Sequence, residues 1–99
     1  MSTEITSYKR IEKEEIVNFS ITKKDVLAGD ETRQRLRNIY LTKAERLGNV
    51  YKGKVKMYIG LEDGSFVAVE TTIWHVNDGF VSLKAGISVP VTAIKEIEF

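Results

Sequence analysis

Cysteine is absent from the 99 residues, which excludes a disulfide framework, a thiol nucleophile and any cysteine-based zinc site. Histidine is nearly absent too. The single one, His75, has no second residue with which to complete a triad or a coordination shell. Nothing in the chain reads as a catalytic constellation, so the expectation is a non-enzyme that needs no cofactor and no metal. Gly60, Gly64, Gly79 and Gly86 are not spaced as a phosphate-binding loop. No run approaches the roughly 20 apolar residues of a membrane span. The first ten residues lack the apolar stretch of a secretory signal. A soluble cytoplasmic protein is expected, with no membrane partner.

What is present is ordinary for a globular chain: 42% hydrophobic and 29% charged residues, enough for one domain with a modest core. The net charge of +1 conceals a strong asymmetry. Residues 1–32 hold five basic and seven acidic side chains, a net of −2. Residues 33–56 hold eight basic ones against Glu45 alone, a net of +7. Residues 57–99 hold two against six, a net of −4. The middle of the chain is a basic block.

From Lys54 onward hydrophobicity alternates with period two. Val55, Met57, Ile59 and Leu61 alternate with Lys54, Lys56 and Tyr58, and the run 65–76 follows, β-branched and aromatic. Both read as strands. Inward residues must oppose inward residues in an antiparallel pair, so the loops set the register. A three-residue loop Glu62-Asp63-Gly64 opposes Ile59 to Val67 and Met57 to Val69. Asn77-Asp78-Gly79 opposes Ile73 to Leu83 and Val76 to Phe80, and Lys84-Ala85-Gly86 opposes Val81 to Val89. Pro90 suits a strand end, and Val91 to Ala93 forms one tight 3₁₀-like turn before a last strand carrying Ile94, Ile97 and Phe99. This order predicts a mainly β, α+β protein: an N-terminal helix on a five-stranded antiparallel SH3-like (Sm-like) small barrel.

Before the barrel, Asp30 is the N-cap of a helix over 30–48 that stops at Gly48-Asn49. Its buried stripe reads Leu36, Ile39, Tyr40, Ala44 and Leu47, with Lys43 inside the stripe and Leu41 off it. Residues 1–29 read as a flexible or partly helical arm, with a short helix between Tyr8 and Phe19, a capping box at Thr22 to Asp25, and at least the first seven residues disordered. Residues 49–99 make the barrel.

Two surfaces stand out. Arg33, Arg37, Arg46, Lys52, Lys54, Lys56 and Tyr58 combine cations with an aromatic ring, the electrostatic footprint of a nucleic-acid face, RNA in particular. A solvated basic face with Lys56 paired across the sheet to Glu70 is the competing reading. Trp74, Val76 and Phe80 form an apolar patch outside the barrel interior, which the helix covers or which serves a homodimer or protein partner. By strand parity His75 points inward, opposite Val81. The function expected is therefore a non-catalytic binding module, for nucleic acid or, alternatively, for protein assembly through the Trp74 patch or a strand edge.

The segments Arg46-Leu-Gly-Asn49, Lys54-Val-Lys56, Val69-Glu-Thr-Thr-Ile-Trp74 and Leu83-Lys-Ala-Gly86 through Pro90 resemble a family of small uncharacterised Bacteroidetes proteins over about residues 33–99. That resemblance implies the same fold and a bacterial cytosol, and it supplies no site. The order of helix then five strands is similar to Sm-like RNA-binding barrels. Their Asp-x-Met-Asn segment stands here as Ile73 to Asn77, however, and their Arg-Gly as Val91-Thr-Ala, which argues against uridine binding of that type.

Overall fold

The computed structural model describes residues 8–77 and 79–99. The described region opens with a short strand β1 (Lys9–Ile11), a 3₁₀ turn (Lys13–Asn18) and an irregular loop, and then enters helix α1 (Glu31–Tyr51). Six further strands follow: β2 (Val55–Gly60), β3 (Phe66–Thr71), β4 (Ile73–Val76), β5 (Phe80–Leu83), β6 (Ser88–Pro90) and β7 (Ile94–Glu98). A 3₁₀ turn at Val91–Ala93 joins the last two, where the tight turn was expected. The fold is α+β: the described residues form one helix and two mostly antiparallel sheets of order β1-β3-β2-β7 and β4-β5-β6.

The loops set the register as their lengths dictate. Ile59 opposes Val67, Met57 opposes Val69 and Lys56 opposes Glu70; Val81 opposes Val89. Gly64 adopts φ +91° and Gly86 φ +78°, the left-handed region that closes such loops without a Cβ clash. Met57, Ile59, Val67, Val69, Ile73, Val81, Leu83, Val89 and Ile94 fill the space between the sheets and are all but inaccessible to solvent.

One hairpin departs from expectation. Ile73 opposes Leu83, but the register then shifts at Trp74, so that His75 opposes Ser82 and Val76 opposes Val81. Asn77 N donates to Phe80 O at 3.0 Å, closing the loop one residue tighter than a three-residue turn. A β-bulge absorbs the difference and inverts the parity of the residues after it. His75 is exposed rather than inward, and Val76 turns to the core.

The long second strand is two strands, β3 and β4, broken at the buried Thr72. It runs from one sheet into the other. The arm is partly built into the fold: β1 pairs in parallel with β3, Lys9 beside Val67 and Ile11 beside Val69. Thr22 N donates to Gly60 O, and Val26 N to Thr92 O. The turn at 13–18 is 3₁₀ rather than a helix spanning Tyr8 to Phe19. The first seven residues lie outside the described region.

Helix α1 is capped as expected at Asp30, whose Oδ1 accepts from Arg33 N at 3.0 Å. It does not stop at Gly48-Asn49. It continues to Tyr51 and ends on Lys52 in the left-handed region, φ 55°. Gly48 serves packing instead: a Cβ there would run into the Ile73 carbonyl oxygen. The buried stripe is Arg37, Leu41, Ala44 and Gly48, rotated from the expected one, and it lays α1 against β4 and β7. Small residues at 44 and 48 let the helix approach the sheet closely, which is why they, and not Ile39 and Tyr40, face inward.

Candidate functional site

The rotation of α1 has a consequence on its other side. Leu36, Ile39 and Tyr40 stay exposed, and Phe99 is 54% accessible beside them. Between α1 and β7 runs a groove of about 560 Å³, lined by Arg33, Leu36, Arg37, Tyr40, Lys43, Lys95, Glu96, Ile97 and Phe99. Tyr40 and Phe99 meet edge to face, with ring centroids 6.0 Å apart. Lys43 Nζ lies 5.1 Å from the Phe99 ring centroid, a cation–π contact that keeps the ammonium at the groove. Against Arg33, Lys43 and Lys95, Glu96 is the acid in the lining.

Arg37 forms the buried end of the groove. Its Nη1 and Nη2 both donate to the Asp25 carboxylate at 2.9 Å, and Nη1 also donates to Ile94 O at 3.1 Å. This is a bidentate fork in the geometry carboxylates favour. Its Nε has no acceptor among the described residues. The hydrogen bonds from Arg37 hold the Asp25 carboxyl below its ordinary range, outweighing the partial burial that pushes the other way.

The other wall is a sheet edge. β7 pairs with β2 and is the outermost strand of its sheet. Leu61 N donates to Ser65 O at 2.9 Å, so odd-numbered residues of β2 direct their main-chain groups to β3 and even-numbered ones toward β7. Gly60 O accordingly faces away from β3 and accepts Thr22 N at 3.1 Å. Glu96 and Glu98 stand opposite Tyr58 and Lys56 in the β2–β7 ladder, with Ile97 opposite Met57 between them. By the same alternation, Ile97 turns its N–H and C=O to the outer edge.

The seven residues of the expected basic face are not brought together. Arg37 is 6% exposed and held in its ion pair, so its charge is neutralised inside the fold. Tyr58 is buried, and its hydroxyl donates to Glu98 Oε2 at 3.0 Å; burial first, and then that carboxylate, push its pKa up. Lys56 lies 3.7 Å from Glu98 and opposite Glu70. Arg33 is in the groove, 3.4 Å from Asp30. Arg46, Lys52 and Lys54 are exposed. Arg33 and Lys52 stand at opposite ends of a helix of 21 residues, on the order of 30 Å long. Lys54 and Lys56 line a different depression, with Arg10, Glu12, Glu15 and Glu70, where acids match the cations.

Nor do Trp74, Val76 and Phe80 form one patch. Trp74 is half-buried on the strand that carries α1, and Val76 packs against the core. Phe80, opposite Pro90, is half-exposed at the far end of its strand. The bulge at Trp74 separates them. It is held from the helix, since Glu45 Oε2 accepts Val76 N at 2.8 Å and sits 3.2 Å from His75 Nδ1.

Sequence reading missed Lys95 and Phe99 as site residues, and it placed Tyr40 in the core. The one signal was the misfit of Lys43 within the expected stripe and of Leu41 outside it, which together mark a rotated helix. No family model, curated protein or solved structure matches this chain.

Proposed function

We propose that this protein is a non-catalytic interaction module of the SH3-like small-barrel kind, and that it recognises a protein segment in the groove between α1 and β7. The barrel reading is supported by the strand order: a meander β2-β3/β4-β5-β6, a 3₁₀ turn and a last strand returning to β2. The observation that carries the functional reading is the groove itself. It combines exposed rings, Tyr40 (39% accessible) and Phe99, with the outermost strand of a sheet, and peptides are commonly bound between a helix and a strand edge. To test it, a random 12-residue peptide library is panned against the full chain. Enriched peptides are expected to lose at least tenfold in affinity on Tyr40→Ala. Failure to enrich, or enrichment indifferent to Tyr40→Ala and Phe99→Ala, overturns the reading.

A nucleic-acid module is the second reading, favoured by the aromatic pair lying among Arg33, Lys43 and Lys95. Bases stack on such rings while cations meet the phosphates. It requires binding of a ten-residue oligouridylate that strengthens as salt falls. No binding at low ionic strength removes it.

A further inference from the structure

The groove's two walls differ in chemistry, and together they specify a ligand. Resting on the reading of the groove as a protein-binding site, we infer that its occupant is an extended, acidic peptide segment that adds to β7 as a further strand of the sheet.

Three observations carry this. First, β7 is an edge strand, and register leaves the Ile97 N–H and C=O on its outer side, with no hydrogen-bond partner among the described residues. Ile97 lines the groove although its side chain belongs to the core, so what it offers there is mainly main chain. Unpaired edge groups of this kind template another strand. Second, the protein already fills the first position of that edge itself. Arg37 Nη1 donates to Ile94 O, and the rest of the edge, at Ile97, borders the groove. Third, the charge of the walls selects the segment. Lys43 holds its ammonium in the groove beside Phe99, while Arg33 is paired with Asp30, Lys95 Nζ stands over the Phe66 ring, and Glu96 is the acid among the lining. An extended ligand places alternate side chains on alternate faces. Those turned to the helix meet Lys43, Tyr40 and Leu36, which suits acidic residues interspersed with apolar ones. A basic segment would face the Lys43 ammonium.

The test uses the full chain and three synthetic nine-residue peptides. One carries Glu and Val by turns at every second position, with Ser between them, so that both types share a face. The second has the same sequence N-methylated at every other residue, so that one edge of the strand cannot donate. The third carries Lys in place of Glu. The acidic peptide is expected to bind and to slow hydrogen exchange at the Ile97 amide. N-methylation is expected to weaken binding by about tenfold for each main-chain hydrogen bond removed. The lysine peptide is expected not to bind, and Lys43→Glu to reverse the preference between the two.

If the methylated and unmethylated peptides bind equally while library peptides still depend on Tyr40, the groove reading stands and strand addition is overturned. If no peptide binds in either experiment, both fail. Protection of Ile97 that rises with protein concentration alone assigns the edge to a second copy of the chain. Competition by oligouridylate, with no binding of the acidic peptide, assigns the groove to nucleic acid. Either result overturns the proposal.

Discussion

Arg37 joins three segments that are far apart in sequence: the loop at Asp25, the helix that carries it, and the start of β7 at Ile94. A side chain in that position cannot be shortened without stranding its partners. Arg37→Met leaves the Asp25 carboxylate half-desolvated and the Ile94 carbonyl without its donor, and is expected to cost about 3 kcal/mol, read as a lower urea midpoint at unchanged slope. The pair also makes stability depend on pH. Because the folded-state pKa of Asp25 is lowered, its contribution is complete above the unfolded value, about 3.9, and is lost as pH falls through the folded value. The stability gap between the protein and its Asp25→Asn variant should therefore be widest near neutrality and shrink below about pH 4. A gap that does not change with pH sinks the assignment. None of this was legible in the sequence, where Arg37 is one cation of a basic block. Burial of a charge is decided by whether a partner arrives from elsewhere in the chain, and Asp25 sits in a segment without periodicity. Gly48 is the opposite case. By sequence it reads as a helix stop, but Gly48→Ala would press a methyl into the Ile73 carbonyl. A loss of about 1–3 kcal/mol is expected by overpacking, where an exposed helical glycine would gain from the same change.

At the scale of elements, what the sequence made legible was pairing, and what it hid was rotation. The registers of β2 with β3 and of β5 with β6 follow from loop length and inward–outward alternation, both local properties. The helix carries two adjacent apolar stripes, Leu36-Tyr40-Leu47 and Leu41-Ala44-Gly48. Hydrophobicity alone favours the first because its side chains are larger. The close approach permitted by Ala44 and Gly48 selects the second, and Leu36 and Tyr40 of the first become one wall of the groove, while Leu47 packs at the edge of the core. The bulge at Trp74 was similarly hidden, because an inserted residue leaves no mark on composition. Its support comes from the helix: Glu45→Ala removes the acceptor of the Val76 N–H and should cost about 1–2 kcal/mol, with faster exchange at that amide. The end of α1 has slack to recover. Lys52 holds a left-handed conformation without being glycine, so Lys52→Gly should raise stability by roughly 0.5–1 kcal/mol, measurable as a higher midpoint of thermal unfolding.

At the scale of the molecule, two sheets share the β3–β4 strand and leave β7 as an edge with a groove beside it. Among the described residues no helix is long and apolar enough to cross a membrane. The α+β class and the helix-then-meander order were readable because each step connects neighbours in sequence. β1 was not, since its parallel pairing with β3 links Lys9 to Val67 and no local pattern announces so distant a contact. That strand has a protective consequence. Beneath it lies Phe66-Val-Ala-Val-Glu-Thr71, short, β-prone and carrying one charge, the composition that stacks into cross-β fibrils when its edge is free. β1 occupies that edge with two cationic residues, Lys9 and Arg10. Such charges deter further strands from joining a sheet edge. A chain lacking residues 1–12 should therefore aggregate into thioflavin-binding material under conditions where the whole chain stays dispersed. The short leading strand then acts as the molecule's guard against its own amyloid.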